Sequence, residues 1–227
     1  LMNSDNSTPV RLAAVEHVAI CDQSLSHLLA RLKDTKPEVR VAAFTRVKEI
    51  PIAQLSTEAR SDVIKTGLAD REDKVRTEAK SLVMKWLASL DDSVPSLLRQ
   101  LNPIEWEEEA QLLAAFVMED LMSHDAHLGG NLQGSVKESF SKWHSGMKSI
   151  TPTEILWVYT RCSYSKSFCS ERIAADICDA ILPDAVVLCN LISEIKADLP
   201  AINASLKREF VAKYLIKTSA LVDLADV

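Results

Sequence analysis

A chain of 227 residues that is 47% hydrophobic can bury a substantial core, while 5 glycines and 5% aromatic residues are low for a sheet-rich protein. The net charge of −6 excludes a uniformly basic, phosphate-binding surface. That charge is uneven: residues 1–100 hold 15 Lys+Arg against 14 Asp+Glu and residues 101–227 hold 11 against 18, so a nucleic-acid contact is expected only in the first part.

From the N-terminus, one pattern recurs three times in a single register, Asp-x4-Val-Arg-x2-Ala-x3-Val. Its copies are Asp5, Val10, Arg11, Ala14 and Val18; Asp34, Val39, Arg40, Ala43 and Val47; and Asp70, Val75, Arg76, Ala79 and Val83. With Cys21, Ile50 and Trp86 further along each copy, the spacing predicts one apolar stripe on one amphipathic helix per copy. Thr8-Pro9 and Thr35-Lys36-Pro37 supply a capping hydroxyl and a helix-tolerant proline before the stripe, and Asp73 is the expected cap of the third copy. Upstream of the second and third copies lie short apolar helices, Leu25 to Leu32 and Ala59 to Leu68, each ending in Leu-x-Asp. The unit is therefore helix, tight turn, helix, with copies offset by 29 and 36 residues.

Further on, Val94 to Leu101, the turn Asn102-Pro103 and a helix from Ile104 to Met122 form a degenerate fourth unit without the Val-Arg signature. The segment 123–150 holds four of the five glycines and reads as a loop or insertion with one helix around Val136 to Trp143. Order resumes at Thr151-Pro152-Thr153-Glu154, a capping box with proline at the first helical position. Helices are expected near 152–164, 170–182, 184–197 and 203–222, broken at Pro183 and Pro200. An isolated helix pair cannot cover its apolar face, and stacked pairs can. The predicted fold is an all-α, HEAT-repeat α-solenoid of stacked antiparallel helix pairs, with repeats over 1–122 and further solenoid helices over 151–227.

The residues quoted so far resemble the HEAT-repeat, CAP-G-type subunit family of condensin. The likeness is carried by Asp34-Thr-Lys-Pro-Glu-Val-Arg40, Leu55 to Arg60 and Gly67 to Arg76; by Ile150-Thr-Pro-Thr-Glu154, Trp157 and Ile181-Leu-Pro-Asp184 leading into Val187 to Ile192; and by Arg208 to Leu215 with Leu221-Val-Asp-Leu-Ala-Asp226. These strings occur in the family's order, with 123–150 unmatched. The resemblance implies an internal stretch of a non-catalytic subunit that holds the kleisin subunit and, through it, the SMC ATPase pair. It further implies a clasp on double-stranded DNA in mitotic chromosome condensation, in the nucleus and on chromosomes with a cytoplasmic pool. The alternative is a general HEAT scaffold of the transport-receptor or phosphatase-scaffold kind, which binds protein and not DNA.

For sites, Arg11, Arg40 and Arg76 recur with an Asp at fixed spacing, which favours an inter-repeat charge ladder of Asp34, Arg40, Asp70 and Arg76 over phosphate contact. Lys33 and Lys36 at the second turn and Arg71 and Lys74 at the third are the DNA-binding candidates, since stacking would bring the turns together; Asp34, Glu38, Asp70, Glu72 and Asp73 on the same turns favour the alternative of a solvated, mixed-charge edge. Glu105, Glu107, Glu108 and Glu109 open a helix, where the macrodipole favours carboxylates, and are also a candidate seat for a basic segment. His124-Asp125-Ala126-His127 matches no closed zinc site, Cys162 and Cys169 have no histidine near in sequence, and Trp86, Trp106 and Trp157 lie on helical stripes as core residues. No phosphate loop, HExxH or nucleophile elbow occurs, so no catalytic group, metal, cofactor or small-molecule substrate is expected. The five cysteines form no close CxxC pair, and most read as small buried hydrophobes in a reducing compartment. With no apolar run near the ~20 residues of a membrane span and no signal-peptide pattern at Leu1-Met2-Asn3, the chain reads as soluble and part of something longer.

Overall fold

The computed structural model describes residues 5–124, 150–183, 185–198 and 206–221, and all regular structure in them is helical. The helices are α1 (Thr8–His17), α2 (Asp22–Ala30), α3 (Pro37–Val47), α4 (Thr57–Leu68), α5 (Asp73–Ala88), α6 (Val94–Leu101) and α7 (Glu107–His124). They continue with α8 (Pro152–Phe168), α9 (Glu171–Ile181), α10 (Ala185–Asp198) and α11 (Leu206–Ser219). Short 3-10 turns at Arg31–Lys33 and Ile52–Gln54 follow α2 and precede α4. The chain divides into two compact units, the first comprising residues 1–102 and 108–113, the second residues 103–107 and 114–227. The helix expected around Val136 to Trp143, the residues Asp125 and His127, and Val222 to Asp226 lie outside the described residues. No helix among the described residues is long and apolar enough to cross a membrane.

In the first unit α3 packs against α1 on one side and α5 on the other, while α2 lies against α3 and α4 lies against α5 and α6. Two rows of helices result, with antiparallel pairs α2–α3 and α4–α5 stacked side by side. The core between them takes Val39, Ala43, Phe44 and Val47 from α3 and Val75, Ala79, Leu82 and Val83 from α5. On α6 the buried set is Val94, Leu97, Leu98 and Leu101, the i, i+3, i+4, i+7 stripe of a helix with one face covered. Gly67 on α4 permits a close approach to α3 and α5. A Cβ there would stand 2.5 Å from that of Ala79 and 2.7 Å from the Phe44 ring.

The third copy keeps the expected stripe through Trp86, which is buried within α5. In the second, α3 ends at Val47 and Ile50 is buried beyond it. In the first the stripe fails: α1 stops at His17, Val10 is 37% exposed, and Cys21 is an exposed residue at the start of α2. Among the described residues α1 packs chiefly against α3, and part of its stripe stays uncovered. Cys189 is exposed as well, whereas Cys162 and Cys178 are buried.

The helix starts of the repeats also differ from the sequence expectation. Neither Thr8, Thr35 nor Asp73 caps; the residues before these helices, Ser7, Lys36 and Glu72, make no side-chain cap. Instead the motif aspartate of each copy accepts the backbone N–H two residues on: Asp5 from Ser7 at 2.8 Å, Asp34 from Lys36 at 3.0 Å and Asp70 from Glu72 at 2.9 Å. An aspartate side chain closes such a turn on its own backbone, and the Thr35 hydroxyl, 3.5 Å from Asp34, turns to that carboxylate instead of capping the helix.

In the second unit α8 lies against α9 and α11, and α10 against α11. Thr151 and Glu154 form the capping box read from sequence, with the Thr151 N–H donating to Glu154 at 2.9 Å and the Glu154 N–H to the Thr151 hydroxyl at 3.3 Å. On α9, Ala174, Ile177, Cys178 and Ile181 form the buried stripe.

Candidate functional site

The motif arginines build a directional chain of ion pairs. Arg11 forks onto the Asp34 carboxylate with Nε and Nη2 each at 2.9 Å, and Arg40 forks onto Asp70 at 2.7 and 2.8 Å. The remaining nitrogen of each turns back to the carbonyl of its own copy's aspartate: Arg11 to Asp5 at 3.2 Å, Arg40 to Asp34 at 2.9 Å and Arg76 to Asp70 at 2.5 Å. Arg11 and Arg40 thus each tie their own turn to the next repeat's. Arg76 ends the run and bonds Asp73 on its own helix, and the fourth unit's turn, Asn102-Pro103, holds no aspartate. Both forked pairs are buried, with side-chain exposure of 9% or less at all four residues.

The electrostatics follow from that enclosure. Burial alone would raise the Asp34 carboxyl, but the Arg11 guanidinium, the Lys36 N–H and the charges of Arg11 and Arg31 outweigh it and bring it from 3.8 to about 2. Asp70 is lowered in the same way, burial being outweighed by Arg40 and the Glu72 N–H. These arginines are committed to structure and are not open phosphate contacts.

At one end of the ladder a polar cleft of about 400 Å³ opens between the start of α1 and the α2–α3 turn, lined by Arg11, Arg31, Lys33 and Lys36 together with Asp5 and Asp34. Lys33 and Lys36 therefore share one cleft, although Lys33 also pairs with Asp62 at 2.8 Å. Arg31 bonds Asp34 through Nη1 at 2.7 Å and has its Nε buried without a partner, a cation that sequence reading passed over. Its signal was its position beside the motif aspartate, three residues upstream. The other two candidates lie elsewhere: Lys74 lines a separate groove across α1, α3 and α5, and Arg71 is an exposed side chain 3.7 Å from Glu72.

Two of the glutamates that open α7 are drawn into structure. Glu109 is buried and pairs with Lys65 on α4 at 3.2 Å, within the first unit. Within the second, Glu107 accepts from Lys213 at 2.7 Å and from the Tyr214 hydroxyl at 2.7 Å, and these contacts hold it below the usual carboxylate range against the opposing effect of burial. Trp86 and Trp157 are core residues and Trp106 is half-buried. Cys162 is not poised as a nucleophile, since its hydrogen bond with Cys178 and its burial push the thiol up. Among the described residues no group of three or more His, Cys, Asp and Glu side chains converges on a metal position.

No protein-family model matches the chain. Condensin complex subunit 3 of Xenopus laevis is 26% identical over 239 aligned residues, covering 100% of this chain and 22% of that protein. The Homo sapiens protein of that name is 26% identical over 212 residues, covering 92% of this chain and 20% of its own length. This chain resembles condensin complex subunit 3. The Schizosaccharomyces pombe condensin complex subunit 3 adds 28% identity over 105 residues, 45% of this chain and 12% of that one. The chain thus spans about a fifth of the length of the vertebrate condensin relatives it matches. In fold, the crystal structure of the S. pombe condensin Cnd3-Cnd2 subcomplex superposes with a TM-score of 0.82 at 20% identity, covering 100% of this chain and 29% of that chain. The HEAT-repeat architecture expected from the three-copy register is the fold of that condensin structure.

Proposed function

We propose that this chain is a non-catalytic stretch of a condensin HEAT subunit that binds the kleisin subunit, and through it the SMC ATPase pair, and contacts duplex DNA on chromosomes in the nucleus, with a cytoplasmic pool. The observation that carries this reading is the alignment with condensin complex subunit 3 over the whole chain, together with a fold shared with the Cnd3-Cnd2 subcomplex. The repeats act as a frame, and the ladder sets the pitch at which one turn follows the next. DNA contact falls to the exposed cations beside the ladder: Lys33 and Lys36 in the polar cleft, with Arg71 and Lys74 at the following turn.

The test is to co-express the full-length subunit with a candidate kleisin, purify the complex and measure duplex affinity across a salt series. Co-purification and a log-log salt slope that falls when Lys33, Lys36, Arg71 and Lys74 are reversed in charge are the expected results. Failure to co-purify overturns the condensin reading. A stable complex whose duplex affinity ignores the four reversals removes DNA contact from these residues and leaves a protein-binding scaffold.

A further inference from the structure

The first unit carries a second concavity, of opposite polarity to the cleft. It is a groove of about 920 Å³ across α1, α3 and the start of α5. Its floor is apolar: Leu12 from α1 and Pro37, Val41 and Ala42 from α3, all only partly covered. Its rim is acidic, with the carboxylates of Glu16, Glu38, Glu49, Glu72 and Asp73 against the cations Arg46 and Lys74.

The existing pairings leave that rim open to a cationic guest. Arg46 is spent on Glu49, with its Nη1 2.7 Å from both carboxylate oxygens, and on the Val18 carbonyl at 2.7 Å. Asp73 is held by Arg76, and Glu72 faces Arg71. Glu16 and Glu38 have no ion-pair partner among the described residues, and both are exposed on either side of the apolar floor.

The geometry points to this groove as a docking seat for a basic, amphipathic segment of a protein partner, aliphatic side chains on the floor and Lys or Arg side chains on Glu16 and Glu38. A duplex has the wrong charge for it, and a purely apolar segment would leave the two carboxylates unanswered beside it. The seat is separate from the cleft that holds Lys33 and Lys36 and does not depend on the condensin reading, and of the four proposed duplex contacts only Lys74 lies on its rim.

The test uses the purified 227-residue chain and a fluorescent synthetic peptide of about 15 residues, long enough for a helix, with Leu on one face and Lys on the other. A second peptide carries Glu in place of each Lys, and a short DNA duplex is the competitor. Fluorescence anisotropy should show saturable binding of the basic peptide, weakened by salt, no binding of the acidic peptide, and no displacement by the duplex beyond its binding to the peptide itself. Glu16→Lys with Glu38→Lys should weaken binding about tenfold or more. Ala42→Trp fills the floor without changing charge and should weaken it as much. Unspecific attraction to an acidic protein would survive Ala42→Trp, and that result overturns the proposal, as does absence of binding or direct binding of the duplex that is lost in the Glu16/Glu38 variant. Should the tryptophan variant melt abnormally, Val41→Gln makes the floor polar at a partly exposed position and is read the same way.

Discussion

Buried arginine is handled differently in the two units. In the first, Arg11 and Arg40 are 8% and 6% exposed and each forks onto a carboxylate while also reaching a backbone carbonyl. In the second, Arg161 on α8 is 2% exposed, and neither its Nε nor its Nη1 has a hydrogen-bond partner; burial brings its guanidinium down to about 10, still charged at neutral pH. A buried charge contributes specificity only when its lone pairs and protons are answered, so the first unit has gained registration from its arginines and the second carries a cost. Arg60 shows the intermediate solution, two carbonyls and no carboxylate: Nε to Ile52 at 2.9 Å and Nη1 to Gln100 at 2.8 Å, tying α4 to the end of α6.

The comparison breaks first at Asp34. Asp34→Ala strands Arg11 and opens the turn that precedes α3, and should lower the unfolding free energy of the first unit by about 3–5 kcal/mol, read by chemical denaturation or by hydrogen exchange in α1 and α3. The same residue sets an acid limit. Because folding moves its carboxyl down from 3.8 to about 2, the rung's contribution is complete above about pH 4 and is lost as pH falls through about 2. Asp34→Asn should flatten stability against pH in that window.

Next in size is Gly67→Ala, where the new methyl meets Ala79 and Phe44 at contact distances neither can yield easily; about 2 kcal/mol of overpacking is expected in denaturant titration. Thr151→Ala in the second unit removes one half of the α8 capping box and should cost about 1 kcal/mol, seen as earlier exchange of the first-turn amides. Smallest of all, and opposite in sense, Arg161→Met should leave the melting temperature unchanged or raised, with an effect within about 1 kcal/mol. A large loss there would mean that Arg161 is answered by a group whose pairing matters to the fold.

Asp and Arg at one spacing in three copies pointed to the Arg40–Asp70 pairing, whereas Arg76, expected in the same ladder, turns to Asp73 on its own helix. The helix caps were misread for a physical reason: a threonine before proline fits the capping pattern, but the motif aspartate reaches the same turn first and with a stronger acceptor. Cys21 was assigned to a buried stripe because the copies share a register, and register alone does not say that α1 stops after ten residues. Lys33 and Lys36 are near in sequence and share a cleft, whereas Arg71 and Lys74, also near in sequence, point to different surroundings, since side chains a few residues apart on a turn diverge. The acidic groove was illegible because its rim is assembled from three helices, and Arg161 because a lone arginine in an apolar helix does not announce whether a partner will reach it.

The forked ladder has one more implication. The atoms that begin each helix are also the atoms that receive the previous repeat, so the joint is complete within the turn and makes no demand on what lies between joints. The copies are spaced 29 and 36 residues apart, yet the two joints are nearly superimposable in their distances. The extra length lies chiefly between α3 and α4, in the segment that carries the 3-10 turn Ile52–Gln54, away from the joint. A chain put together this way can lengthen or shorten its modules without retuning their coupling, as a hinge pin does not depend on the width of the door.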